Sequence, residues 1–416
     1  MRGMTGSGDG VHVLTGPIHV EGAEPGDTIK VEILDLYPRM NKDNEAYGVN
    51  AAARWGFHYG TNGKMEGKSA LLGLITGAAD TDTKREMTHV YKVVFGKNGD
   101  DKVAAYGDPV YSARYAQNNA VVTDCLQQPS ELPEATREPT GPACIDGKQT
   151  WTGYTFPGLL TDTSKVKKDT SVAGRFKIPA NLHVGSMGLA PSEVDFADSI
   201  PPMPYGGNLD NRRIGVGAAM YYPVAVAGGL LSMGDAHFAQ GDGELDGTAI
   251  EMSITGKFKI SLIKKDAVKS FANLDFPLLE NVNEWVVHGF SYQNYLTELD
   301  PPSAVYGKSS LDRAVANTMR NARTLLMNKG FTEDEAITIL SATGDFGITQ
   351  VVDGNWGAHC TIPKFAIKEL DESSVTYKQY TFAGTSQEYS GGSRTGGGPP
   401  FVTGLLLPLA LLLRLY

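Results

Sequence analysis

Cysteine is nearly missing from this chain. Cys125, Cys144 and Cys360 are the three among 416 residues. No CxxC occurs, so a zinc ribbon and a disulfide framework are both excluded. Cys125 and Cys144 could pair across a Pro-rich loop, but two free thiols are the reading preferred here. A basic stripe is missing too. With 37 basic against 47 acidic residues the net charge is −10, and no Lys/Arg run interleaves with aromatics, which argues against nucleic acid as a partner. No apolar h-region follows the lone Arg of "MRGMTGSGDGVHV", so no secretory signal is read there and the cytoplasm is the expected compartment. Long hydrophobic runs are also lacking, except at the other end. "FVTGLLLPLALLLRLY", residues 401–416, follows the spacer "SGGSRTGGGPP". This outline matches a GPI-attachment signal, but the run is short for a span and broken by Pro408 and Arg414. Membrane association, or a GPI anchor, is therefore expected only through this tail if at all.

What is abundant is turn chemistry. The 49 Gly and 22 Pro favour short strands over long helices. "VHVLTGPIHVEGAEPGDTIKVEILDLYP" reads as strand, turn, strand, with Pro25 setting φ in "EPGD". "ALLGLI" and "VYKVVF" are further strands, and "KFKISLI" places Phe258, Ile260 and Leu262 on one face. Residues 96–168 read as a long loop. Leu311, Val315, Met319, Ala322 and Leu326 recur at helical spacing, with Gly330 closing the helix. Thr332 and Glu335 fit a capping box that opens a second helix, and "TQVVDGNWGAHCTIPKFAI" then reads as strand, turn, strand. The expected organisation is a mainly β core over residues 1–265, an α+β part over 266–385 with a helical pair at 311–342, and a spacer with its tail over 386–416.

One stretch concentrates chemistry. "GDAHFAQGDGE", Gly234 to Glu244, holds Asp235, His237, Gln240, Asp242 and Glu244 between apolar, strand-like flanks. A phosphate loop fails because no GxxxxGK[ST] exists, and "GVGAAM" lacks the last Gly of a dinucleotide fingerprint. An EF-hand loop starting at Asp242 would need Glu where Ser253 stands. "HVGSMG" is not GxSxG, and Cys144 has no nearby His. A metal-hydrolase pattern survives. In an extended segment, Asp235 and His237 share a face and can converge on one cation. Asp242, Glu244 and Glu251 are candidate further ligands or general bases. Upstream, Asn208, Asp210 and Asn211 follow a Gly pair, as an Asx turn or as part of the same pocket. His183 is either a core residue or a pocket wall. His12, His19, His89 and His288 are read as structural or surface residues.

Five blocks in order, "GPIHVEGAEPGDTIKVEILDLYP", "HVGSMGLAPSE", "YGGNLDNRRIGVGAAMYYPVAV", "LLSMGDAHFAQGDGELDGTAIE" and "VVDGNWGAHCTIPKFAI", resemble the acetamidase/formamidase family. The resemblance runs from Val11 to Lys368 and is weak between Gly96 and Lys168. It implies hydrolysis of the C–N bond of small linear amides, a sandwich-like, jelly-roll type β core with a smaller α+β part, and a divalent metal at the acidic block. Zinc is the expected metal, calcium the second option. Asp235 and His237 become metal ligands. Asp242, Glu244 and Glu251 become catalytic carboxylates, and Asn208, Asp210, His183 and Gln240 substrate contacts. A homo-oligomer is expected. So is a family segment preceding Val11 that this sequence does not show. The alternatives are a cyclic-amide (lactam) hydrolase, a β-sandwich that binds metal or ligand without turnover, and an inactive fragment.

Overall fold

The computed structural model describes residues 12–52, 57, 87–96, 104–114, 144–145, 148–149, 168–195, 197–267, 271, 274–369, 376–380 and 386–390. The "ALLGLI" segment, Cys125, and the tail at 401–416 lie outside them. Two compact units divide the chain, Met1–Ala366 and Ile367–Tyr416. In the second, strands Thr376–Tyr380 and Ser386–Ser390 pair antiparallel.

The first unit is mainly β, built on two antiparallel sheets. One runs Gly206–Asn208, His183–Gly188, Leu231–Ala239, Ile250–Met252, Tyr47–Ala52, Met87–Phe95, Ala104–Arg114 and Lys168–Asp169. The other runs Ile254–Ile263, Thr28–Pro38, Ala219–Pro223, Leu278–Glu280, Glu284–Phe290, Gly357–Pro363 and Asp345–Gln350. The two sheets share a core, with Ile29, Val31 and Ile33 on one face by period-2 alternation. Ile29, Val31 and Ile33 of the second sheet and Val184, Met187, Leu231 and Met233 of the first fall in one buried cluster. Phe258, Ile260 and Leu262 pack against it from the edge, as their spacing requires. The "EPGD" turn forms as read: Asp27 N–H donates to Glu24 C=O at 3.0 Å, and Gly26 takes the φ of 93° that a type II turn demands.

Two expectations need correction. The Ala104–Arg114 strand lies within the stretch read as loop, because it pairs along its length with Met87–Phe95. The boundary placed at 265/266 also falls inside one sheet. Ile254–Ile263 and Leu278–Glu280 are both strands of the second sheet, linked through Thr28–Pro38 and Ala219–Pro223.

The helical pair is Leu311–Asn328 and Glu333–Thr343. Gly330 at φ 101° closes the first helix. Its N–H reaches Met327 C=O at 2.9 Å, and Phe331 N–H reaches Leu326 C=O at 3.2 Å. Thr332 and Glu335 form the reciprocal capping box. The buried face is rotated from the apolar repeat. Val315 and Met319 are exposed, while Asn317, Thr318 and Asn321 are buried. Asn317 donates to Phe290 C=O at 2.7 Å and Asn321 to His288 C=O at 2.9 Å. The helix therefore seats on strand Glu284–Phe290 through amides, which apolar periodicity cannot reveal. Among the described residues no helix is long and apolar enough to cross a membrane.

Candidate metal centre

The site grows from strand Leu231–Ala239, which has a partner on each side. His183 lies opposite His237 on one side and Glu251 opposite His237 on the other, so three side chains form one row across three strands. Asp235 joins them on the same face, two residues before His237 and level with Gly185 of the neighbouring strand. Its φ is 55°, a left-handed kink inside the strand. Its Oδ1 lies 3.4 Å from His237 Nε2, and Glu251 Oε2 is 3.3 Å from the same nitrogen. Gly185 faces this row from the neighbouring strand, close enough that a Cβ there would sit 2.5 Å from His237 Cε1.

Two loops bring further carboxylates. After Gly206 and Gly207, at φ 97° and 96°, the chain turns so that Leu209 and Asp210 N–H both donate to Gly185 C=O at 3.1 Å. Asp210 Oδ1 then lies 3.8 Å from His237 Nε2. Gly243, at φ 102°, is bound to the other sheet: its N–H reaches Thr349 C=O at 3.0 Å, and Val351 N–H reaches Gly243 C=O at 3.2 Å. This contact sets Glu244 and Asp353 beside Asp210. Asp210, Asp235 and Glu244 all have positive φ, at 48°, 55° and 45°. Backbone strain of this kind, about 1–3 kcal/mol per residue, gathers at functional sites.

Four carboxylates, Asp210, Asp235, Glu244 and Glu251, thus crowd one buried imidazole, with Asp353 beside Asp210 and Glu244. Burial pushes Glu244 well above the ordinary carboxylate range, and the charge of Asp210 adds to it. Asp353 is raised likewise, by burial and then by Asp210 and Glu244. Glu251 is raised by burial, with His237 opposing. Burial would raise Asp235 too, but His12 and His237 override it and hold its carboxyl below the usual range. Burial would lower His237, yet Glu251 and Asp235 outweigh burial and hold the ring well above the usual histidine value. His12 Nε2 stands 3.6 Å from Asp235 Oδ2. Read from sequence as structural or surface, His12 is at the rim of this cluster.

The donor set fits a cation. Asp210, His237 and Glu244 can bring ligand atoms within 4.8 Å of one another, and so can Asp235, His237 and Glu251. Asp210 Oδ1, His237 Nε2, Glu244 Oε2 and Asp353 Oδ2 are buried and have no hydrogen-bond partner among the described residues. The carboxylates near His237 Nε2 lie at ion-pair distance without hydrogen-bond alignment. Orphaned buried polar atoms are costly, and a cation held by Asp210, His237 and Glu244 would compensate three of them together. Oxygen donors with one imidazole suit zinc and also harder divalent ions.

The other candidates fall elsewhere. Asp242 is not brought to the cluster. Its Oδ1 accepts from Arg212 Nε at 3.0 Å and Arg213 Nη1 at 3.2 Å. Burial would raise its pKa, but Arg213 and His359 lead the groups that hold it low. His183 is not a pocket wall. It is fully buried, with Nδ1 2.7 Å from Asn181 C=O and Nε2 3.2 Å from Gln240 Oε1. Burial pushes its ring down to about 3, and His237 adds to the effect. Gln240 is an internal brace, donating to Asp210 C=O at 2.6 Å. Asn208 Oδ1 is buried and without a partner among the described residues. Asp353 carries no site signal of its own in the sequence: "VVDGNW" lies in one of the five blocks, but it reads only as a turn.

Comparison with known proteins bears on this geometry. The chain matches the acetamidase/formamidase family over residues 7–91 and 194–366. A formamidase of Methylophilus methylotrophus is 31% identical over 272 residues, covering 63% of this chain and 54% of that protein. An acetamidase of Mycolicibacterium smegmatis is 28% identical over 260 residues, covering 61% and 54%. The chain thus spans about half the length of the curated relatives it matches. The crystal structure of an acetamidase from Bacillus halodurans shares the fold, with a TM-score of 0.51 at 21% identity over 86% of this chain and 80% of that one. On the matched residues, which exceed half its length, this chain belongs to the acetamidase/formamidase family.

Proposed function

We propose that this chain hydrolyses the C–N bond of small linear amides such as formamide and acetamide, releasing ammonia and the carboxylate. The site is the cluster of Asp210, His237 and Glu244, with Asp235, Glu251 and Asp353 beside it, holding one divalent cation. Zinc is our assignment, calcium the second. The observation that carries this reading is that Asp210, His237 and Glu244, each with a buried, unpartnered ligand atom, can bring donor atoms within 4.8 Å of one another. The family supplies the substrate class.

Amides are poor electrophiles and amines poor leaving groups, so the site needs both charge stabilisation and proton transfer. When bound, a divalent cation supplies the first, polarising a carbonyl or lowering the pKa of water to ~7. The chain supplies the second. Glu251 is the carboxylate we assign to take a water proton and pass it to the leaving amine. It is more exposed than its neighbours, at 27% of its side chain, so substrate can reach it. Its Oε1 is held by Ala249 N–H at 3.0 Å, which aims Oε2 at the cluster. Asp242, tied to two arginines, is a brace for the loop that carries Glu244. Asn208 Oδ1 is assigned to accept a substrate N–H.

The test measures ammonia release from formamide and acetamide together with bound metal, for wild type, His237→Ala and Glu251→Gln. Wild type should hold metal and release ammonia. His237→Ala should lose both. Glu251→Gln should keep the metal and lose about 10²–10⁴-fold in rate. Full activity in a metal-free His237→Ala protein would overturn the proposal.

A further inference from the structure

The contacts and burial of the two histidines in the central row favour one arrangement of ring protons. His183 and His237 are cross-strand neighbours, with rings 4.9 Å apart and crossed at 84°. His183 Nδ1 lies 2.7 Å from Asn181 C=O. A carbonyl only accepts, so this nitrogen carries the hydrogen. The carbonyl is well held: Asn181 N–H reaches Phe238 C=O at 2.9 Å, and Asn181 Nδ2 reaches Arg212 C=O at 3.0 Å. His183 is fully buried, which favours the neutral ring, so its Nε2 presents a lone pair.

Two groups face that lone pair, Gln240 Oε1 at 3.2 Å and His237 Nδ1 at 3.1 Å. The Gln240 amide is fixed in direction, because its Nε2 must donate to Asp210 C=O at 2.6 Å. Its oxygen therefore faces His183 and brings no proton. The hydrogen between the rings must come from His237 Nδ1. His237 Nε2 is then the ligand atom, facing oxygens of Glu251, Asp235 and Asp210 at 3.3, 3.4 and 3.8 Å.

We propose that His183 is a positioning residue: it accepts the Nδ1–H of His237, fixes that tautomer and ring direction, and so presents His237 Nε2 to a divalent cation. This rests on the cation reading given above. A metal-binding histidine usually donates its other N–H to a carboxylate, carbonyl or water. Here a second imidazole, itself set by a backbone carbonyl, takes that place. His183 accordingly touches neither substrate nor metal.

The experiment uses the full chain and Zn²⁺ alone. Zinc affinity is measured by chelator competition for wild type, His183→Phe and His183→Gln. Ring ¹⁵N shifts of His237 are recorded in the zinc-loaded wild type. The expected result is a protonated Nδ1 on His237, a loss of about 10–100-fold in affinity for His183→Phe, and recovery of most of it in His183→Gln, whose amide oxygen can accept the same hydrogen. A merely structural role would lower thermal stability in both variants without this split. If neither variant folds, the ¹⁵N shifts decide. An unprotonated Nδ1 in wild type, or zinc affinity unchanged in His183→Phe, overturns this inference while the cation reading stands. A wild type that binds no zinc overturns both.

Discussion

Adding one methyl group at Gly185 should disable the site without unfolding the protein. The Cβ of Gly185→Ala would lie 2.5 Å from His237 Cε1, 2.6 Å from Asp210 Oδ1 and 2.8 Å from Asp235 Oδ2. Ordinary contact begins at 3.4 Å, so these atoms must retreat by about 0.9, 0.8 and 0.6 Å. Nothing nearby yields easily. His237 is braced by His183 at 3.1 Å, and Asp210 N–H is bonded to Gly185 C=O itself at 3.1 Å. Metal ligands tolerate displacements of about 0.2 Å, several times less than required. A misplacement near 1 Å costs roughly 10²-fold in rate, and overpacking costs about 1–3 kcal/mol of stability. The expected outcome is amide hydrolysis down about 10²-fold and weakened zinc binding, with a cooperative melt retained. Gly241→Ala is the matched control, since a Cβ there meets nothing within 4 Å. Ammonia release is followed in a coupled assay, and zinc by chelator competition. If Gly185→Ala matches Gly241→Ala in both, the packing argument for the site is wrong.

Other expectations follow from the same structure. Zinc affinity should rise with pH through the neutral range: the proton held by His237 above the usual 6.5 must leave before its Nε2 can bind metal, so chelator competition at pH 6 should show weaker binding than at pH 8. Asp242→Asn should lower the rate of hydrolysis while leaving metal stoichiometry intact, because the arginine brace at 3.0 and 3.2 Å lies outside the ligand cluster; metal analysis of the purified variant checks this. Thr332→Ala should cost about 1 kcal/mol in urea denaturation and nothing in activity, since it removes only the helix cap. Asp27 is held below the usual carboxylate range: burial opposes this, but Lys264 and the N–H groups of Glu24 and Lys265 outweigh it. A lowered folded pKa means stability that is complete above the unfolded value of 3.8 and lost as pH falls through the folded one. Wild type should therefore lose stability on acidification below about pH 4 more steeply than Asp27→Asn, as read by thermal melts.

Local chemistry was legible in the sequence. The alternation at Ile29, Val31 and Ile33, the "EPGD" turn and the Thr332–Glu335 box depend on neighbours a few residues apart, and they form as their side chains dictate. The acidic block was legible as a cluster because His237 and Asp235 lie close in the chain. What escaped was what distant segments decide. Asp353 reaches the site because Gly243 bonds to Thr349 and Val351, over one hundred residues away. The spacing of Asp235 and His237 sets them on one face, but the left-handed φ of 55° at Asp235 is not announced by composition. Asp242 and Glu244 looked equivalent as neighbours in "GDGE", and only the arginines at 212 and 213 separate them. His183 could not be placed until its strand was paired with that of His237.

The central claim is that this cluster hydrolyses amides with a bound divalent cation. The most direct measurement is ammonia release from formamide by the full chain, before chelation, after it, and after zinc or calcium is returned. The account predicts activity that disappears on chelation and returns with the metal, in proportion to the cation bound. Undiminished ammonia release from protein shown to be metal-free would contradict it.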